Sequence, residues 1–216
     1  MSKKILKYIS IIIGVFLLSI IYLSTAGIET DKFNKQIEDL VKQKNDKLET
    51  SLKKIKLTLD LFNFKINAKT IDAKIIFKDK ILELEYIKTQ ISLKSLIKNQ
   101  FVASQIELST KSILLKNFVT FIRSINNRPE LFFLEQFIEQ GYLIADFKLN
   151  FDEYGVLKED YKINGLLRDG KLSLFEKNQL EKINFLFDIT GNNFNFKDIS
   201  FNKNNINFLS ERLSIK

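Results

Sequence analysis

Hydrophobic and polar positions change rhythm along the chain. Residues 8–26 (YISIIIGVFLLSIIYLSTA) carry no charge and follow Lys3, Lys4 and Lys7. Nineteen helical residues reach roughly 28 Å, close to the ~30 Å of a bilayer core, so the run predicts a transmembrane helix. The lysines before it, set against Glu29 and Asp31 after it, predict a cytoplasmic N-terminus with the bulk of the chain across the membrane. Tyr8 and Tyr22 fall near the two expected interfaces. Ser24-Thr25-Ala26 also offers a small-x-small cleavage pattern, so a signal peptide cut after Ala26 is the alternative. The length of the apolar run from Tyr8 to Leu23 favours a retained anchor.

After Thr30, read as a helix cap, Phe33, Ile37, Leu40 and Val41 recur at helical spacing among charges, predicting an amphipathic helix over 30–48. From Leu52 the period becomes two, the mark of strands with one apolar face. Ile55, Leu57 and Leu59 alternate with polar residues, and Phe62, Phe64 and Ile66 continue after a slip at Leu61. Ile71, Ala73, Ile75 and Phe77 follow, then Leu82, Leu84 and Tyr86, then Val102, Ser104, Ile106 and Leu108, then Ile113–Leu115. This first β region, 49–116, gives way to a helical interlude over 117–141, with helices near 117–125 and 130–140. Pro129 lies between them, Gly141 is the expected C-cap, and Phe133, Phe137 and Ile138 form the apolar face of the second.

The β pattern returns over 142–216. Leu143, Ala145, Phe147, Leu149 and Phe151 share one face, and Tyr154-Gly155 reads as a turn. Tyr161 and Ile163 lead to a turn at Arg168-Asp169-Gly170, followed by Leu172 and Leu174. Ile183, Phe185, Phe187 and Ile189 precede a Gly191-Asn192-Asn193 turn, then Phe194, Phe196, Ile206 and Phe208. Short strands with tight turns predict an antiparallel meander. Residues 1–29 hold the cytoplasmic lysines and the anchor. The chain stops at Lys216 still in strand rhythm, which reads as a chain that continues, is truncated, or needs partners.

Composition removes most chemistry. The 216 residues hold no His, Cys or Trp, so His- or Cys-based catalysis, thiolate or imidazole metal sites and disulfides are excluded. No nucleotide-binding or hydrolase motif is present, and the carboxylates alternate with lysines on polar strand faces, so no enzyme activity, cofactor or metal is expected. A net charge of +8 is spread along the chain rather than clustered, which argues against nucleic acid. An ordinary sandwich accounts for alternating strands. Bulky Phe, Ile and Leu at the inward positions with few small residues and sparse turns instead fit an open, curved sheet with a continuous apolar lining.

Residues 82–115 (LELEYIKTQISLKSLIKNQFVASQIELSTKSILL) contain a strand leading into Ile91-Ser92-Leu93, a short turn with Leu96 and Ile97, and a strand ending Gln105-Ile106-Glu107-Leu108. Residues 165–201 (GLLRDGKLSLFEKNQLEKINFLFDITGNNFNFKDISF) describe successive strand rungs. Together with the anchor and the short amphipathic helix, these stretches resemble the AsmA and TamB type of periplasmic protein. Asn45-Asp46-Lys47 and Leu61-Phe62-Asn63 stand where that family often has Gly and Pro. The resemblance implies an antiparallel curved sheet or trough (β-taco-like) with a few short helices, held in the inner membrane through residues 8–26. It also implies transfer of phospholipids toward the outer membrane, with acyl chains sliding along an apolar lining. The candidate lining is Ile55, Leu57, Leu59, Leu143, Phe147, Leu149, Phe151, Ile183, Phe185, Phe187 and Ile189. The rival expectation is a non-transporting scaffold that aids outer-membrane protein assembly, its partner adding a strand to an open sheet edge.

Overall fold

The computed structural model describes residues 3–32, 34–93, 103–152, 156–174 and 178–216. Helix α1 (Lys3–Thr25) contains the apolar segment Lys7–Thr25, of mean hydropathy 2.2, none of it buried against the rest of the chain. It is the one helix among the described residues long and apolar enough to cross a membrane. The N–H groups of Ala26 and Gly27 both donate to Tyr22 O and end the helix. Gly27 has φ 71°, and a Cβ there would lie 2.4 Å from the Leu57 carbonyl oxygen. Only glycine lets the chain pass straight from helix into strand β1 (Ile28–Thr30).

The expected helix over 30–48 is therefore shorter. Thr30 belongs to β1, where it opposes Ile55, and its Oγ1 accepts the Lys32 N–H. Helix α2 spans Asn34–Lys44; Phe33 and the Leu40 side chain lie outside what is described.

The rest is mainly β. β2 (Leu48–Ser51), β3 (Ile55–Asp60), β4 (Lys65–Ile71), β5 (Lys74–Phe77), β6 (Lys80–Ser92), β7 (Ala103–Thr110) and β8 (Ile113–Leu114) precede helices α3 (Leu115–Ile125) and α4 (Pro129–Phe137). β9 (Ile138–Asn150), β10 (Lys162–Leu174), β11 (Asn178–Thr190), β12 (Asn193–Lys203) and β13 (Ile206–Ile215) follow. All join one antiparallel sheet, ordered β1-β3-β4-β6-β7-β9-β10-β11-β12-β13, with β2 and β5 branching from β6 and β8 added beside β9. The branch arises because β6 is long: Lys80–Glu83 pairs with β5 and Tyr86–Ser92 with β4. At the branch Ala73, Phe77, Leu82 and Leu84 pack against Phe121 of α3, forming the best-buried cluster.

Four sequence expectations need correction. Leu61–Phe64 is not a strand with a slipped phase but the turn between β3 and β4, closed by Asp60 Oδ1 and Oδ2 accepting the N–H and side-chain amide of Asn63. Arg168-Asp169-Gly170 is not a turn but a bulge within β10: Asp169 has φ 51° and donates its N–H to Asn184 Oδ1 on the neighbouring strand. Gly141 is no C-cap; it sits inside β9, because α4 ends at Phe137 and Ile138 begins the strand. Phe133 is 56% exposed and Ile138 is buried in β9, so α4 turns a different face inward, one that carries Leu131, Leu134 and Glu135. Leu96, Ile97, Val102 and the turn at Tyr154-Gly155 lie outside the described residues.

The bulges have a common effect. A one-residue insertion shifts the alternation of a strand, so odd positions take the face that even positions held. Leu84 and Ile87 thereby join one cluster in β6, and Leu167 and Leu172 line one cavity in β10, as do Ile138 and Leu143 in β9.

A candidate apolar binding face

Strand register carries largely apolar rows across the sheet. In the front part Ile55, Thr70, Ile87 and Leu108 oppose one another in turn. Leu108 opposes Phe147, and the row continues through Ile163, Ile189 and Phe194 to Ile215. A second row runs Leu57–Ala68–Thr89–Ile106–Leu149, and a third Ala145–Gly165–Phe187–Phe196–Leu213. Gly165 leaves room for its neighbour: a Cβ there would meet the Phe187 ring at 2.4 Å and Ile144 O at 2.3 Å. The Phe187 and Phe196 rings each meet Phe185 edge-on, with centroids 6.3 and 5.5 Å away.

The opposite face is polar. Lys56, Lys69, Lys88, Glu107 and Lys148 oppose one another across five strands, with Glu107 accepting from Lys88 at 3.2 Å and pairing with Lys148 at 3.7 Å. Beyond it Asp146, Asn164, Asp188, Asn195 and Ser214 form a polar row. One side of the sheet is thus largely polar, apart from Ile144, Leu166 and Leu186, which oppose one another, and the other is largely apolar.

Helices α3 and α4 cover part of the apolar side. Between them and β9–β11 lies a cavity of about 360 Å³ whose lining side chains are all apolar, among them Phe118, Ile122, Leu134, Leu167, Phe185 and Phe187. A single buried acid ties the two helices together. The Thr120 hydroxyl donates to Glu135 Oε1 at 2.7 Å and Arg123 Nε donates to Oε2, while the Arg123 guanidinium lies 5.7 Å over the Phe132 ring. Thr120 first, then Arg123, hold the Glu135 carboxyl below its ordinary range against the opposing effect of burial. Elsewhere Asp72, at φ 52°, bridges Lys53 and Lys111 at 2.9 and 2.8 Å and is held down to about 2, chiefly by the hydrogen bond from Lys111.

No family model, no curated protein and no solved structure matches this chain.

Of the candidate lining residues, Ile55, Leu143 and Ile183 are buried, while Leu57, Leu59, Phe147, Leu149, Phe185, Phe187 and Ile189 are half-buried. Register joins Ile55, Phe147 and Ile189 in the first row, Leu57 and Leu149 in the second, and Phe185 to Leu167 and Leu143 beside them. Leu59 opposes Ile66 one step further along β3. Ile183 opposes Gly170 at the cavity, and Phe151 lies just past β9, bridged to Leu157. The strand stripes did not reveal the helical cover, although Phe118, Val119, Phe121 and Ile122 recur at helical spacing in α3. Among the described residues no group of three acidic side chains converges in a way that could hold a metal ion.

Proposed function

We propose that this protein is an AsmA/TamB-like lipid-transfer factor, anchored in the inner membrane by α1 with its N-terminus in the cytoplasm and its β body in the periplasm. Its apolar face acts as a groove for phospholipid acyl chains on their way to the outer membrane. The observation that carries the reading is the register row from Ile55 to Ile215, apolar on every strand it crosses except β4, where Thr70 stands. Moving a phospholipid's roughly thirty methylenes into water at about 0.8 kcal/mol each costs on the order of 25 kcal/mol. Contact with Phe, Ile and Leu is non-directional, so a chain lying on these rows shifts in small steps without a deep minimum. The activity needs no catalytic group and none is assigned.

The test is photo-crosslinking in the full chain from Phe147 and Phe185, with lipid adducts read by mass spectrometry. Phospholipid adducts at both positions are expected. Crosslinking confined to protein would end the reading.

A second reading has its own observation. β13 is exposed along its whole length and lies at the end of the strand order. Such an edge accepts a further strand, as a scaffold for outer-membrane protein assembly requires. Protein crosslinks from Leu209, with no lipid at Phe147, would favour it.

A further inference from the structure

The turn between β3 and β4 presents apolar side chains to solvent in a way that packing does not explain. Phe62 is 98% exposed, Phe64 65% and Leu61 39%. This is not a loose loop. Asp60 receives two hydrogen bonds from Asn63, the Phe64 N–H donates to Leu61 O, and the Leu93 N–H donates to Phe64 O at 2.9 Å. Phe64 itself is held at φ 50°, a conformation rare for a bulky residue. A rigid turn that keeps two phenyl rings in water invites a partner that accepts hydrocarbon.

Topology says which partner. β1 leaves α1 after Gly27 and runs antiparallel to β3, with Ile28 opposite Leu57 and Thr30 opposite Ile55. β3 therefore runs back toward α1, and the two elements lie next to one another. Three residues past Leu57, a rise of roughly 10 Å, the strand ends at Asp60 and the turn begins. Phe62 and Phe64 lie at the end of the sheet from which the apolar helix departs.

We infer that the Leu61–Phe64 turn is a second membrane contact, which inserts its phenyl rings into the outer leaflet interface beside the α1 span. The contact fixes the tilt of the body on the bilayer. It rests on α1 lying in a membrane and not on the groove reading, so it stands whether or not the apolar face carries lipid.

The chain has no tryptophan, so Phe62→Trp creates a single reporter in the full-length protein. The protein is reconstituted in phosphatidylcholine vesicles containing lipid brominated along the acyl chain, and flotation with the vesicles reports α1 separately. Emission from position 62 is expected to be blue-shifted and to lose roughly half its intensity to bromines placed about 5–10 Å below the headgroup boundary, the depth of interfacial apolar groups. Phe64→Trp should behave alike, giving a second reporter. Leu209→Trp, at a side chain 75% exposed on β13, should show neither effect. Red-shifted, unquenched emission from both 62 and 64 in floating protein overturns the inference. Equal quenching at 209 overturns it too, because the whole body would then lie on the surface.

Discussion

Leu84 and Ile215 are strand residues of the same sheet, yet one is wholly buried and the other 51% exposed. Around Leu84 the β5 branch and Phe121 of α3 close over the sheet. Around Ile215 no element does so among the described residues, although it stands in the same register row as Ile55, Phe147 and Ile189. The two regions share residue chemistry and differ in what covers them. Burial of a large aliphatic side chain contributes ~1.5–3 kcal/mol, so stability concentrates where the cover is. The remaining rows contribute less to folding.

The sharpest way to break this contrast is truncation on both sides of it. Leu84→Ala should cost about 2–5 kcal/mol in denaturant unfolding, whereas Ile215→Ala should cost well under ~1 kcal/mol. Equal losses would mean that the far strands also have a packed core. A smaller effect is expected at the cover itself. Glu135→Gln removes the charge that Thr120 and Arg123 stabilise, and should weaken docking of α4 on α3 by about 1–2 kcal/mol. Hydrogen exchange should quicken in α4 and remain unchanged in β12 and β13; uniform quickening would show that cover and sheet open as one unit.

The smallest effect concerns the clip at Asp72. Its folded value of about 2 lies below the ordinary 3.8, so its stabilisation is complete above 3.8 and is lost as pH falls toward about 2. Asp72→Asn should remove this small, solvent-screened contribution at neutral pH and flatten the acid limb, so that the two unfolding curves converge as pH falls toward about 2. An unaltered acid limb would assign acid sensitivity to the other carboxyls held below their ordinary range, among them Asp60, Glu83 and Glu135.

Much of the sheet was legible because its apolar face is marked at every second residue: Leu143 to Leu149 and Ile183 to Ile189 follow the period without interruption within β9 and β11. What misled was a change of phase. A one-residue shift in alternation looks the same from sequence whether the chain bulges or turns, and the partner strand decides between them. At Asp169 the Asn184 side chain across the ladder receives the N–H and keeps the strand going. At Leu61 the hydrogen bonds from Asn63 to Asp60 close on the same hairpin, and the strand ends. The cover of α3 and α4 was half legible: the helices stood out, but the face they protect depends on long-range pairing of β9 with β7 and β10.

Only Ala26 and Gly27 separate the apolar helix α1 from a strand already hydrogen-bonded into the sheet. With α1 held in a bilayer, this joint makes span and sheet a stiff lever rather than a tethered float. A lateral pull on the far strands reaches the bilayer as torque on the span, and the azimuth of the sheet about the helix axis is set at the joint rather than by diffusion.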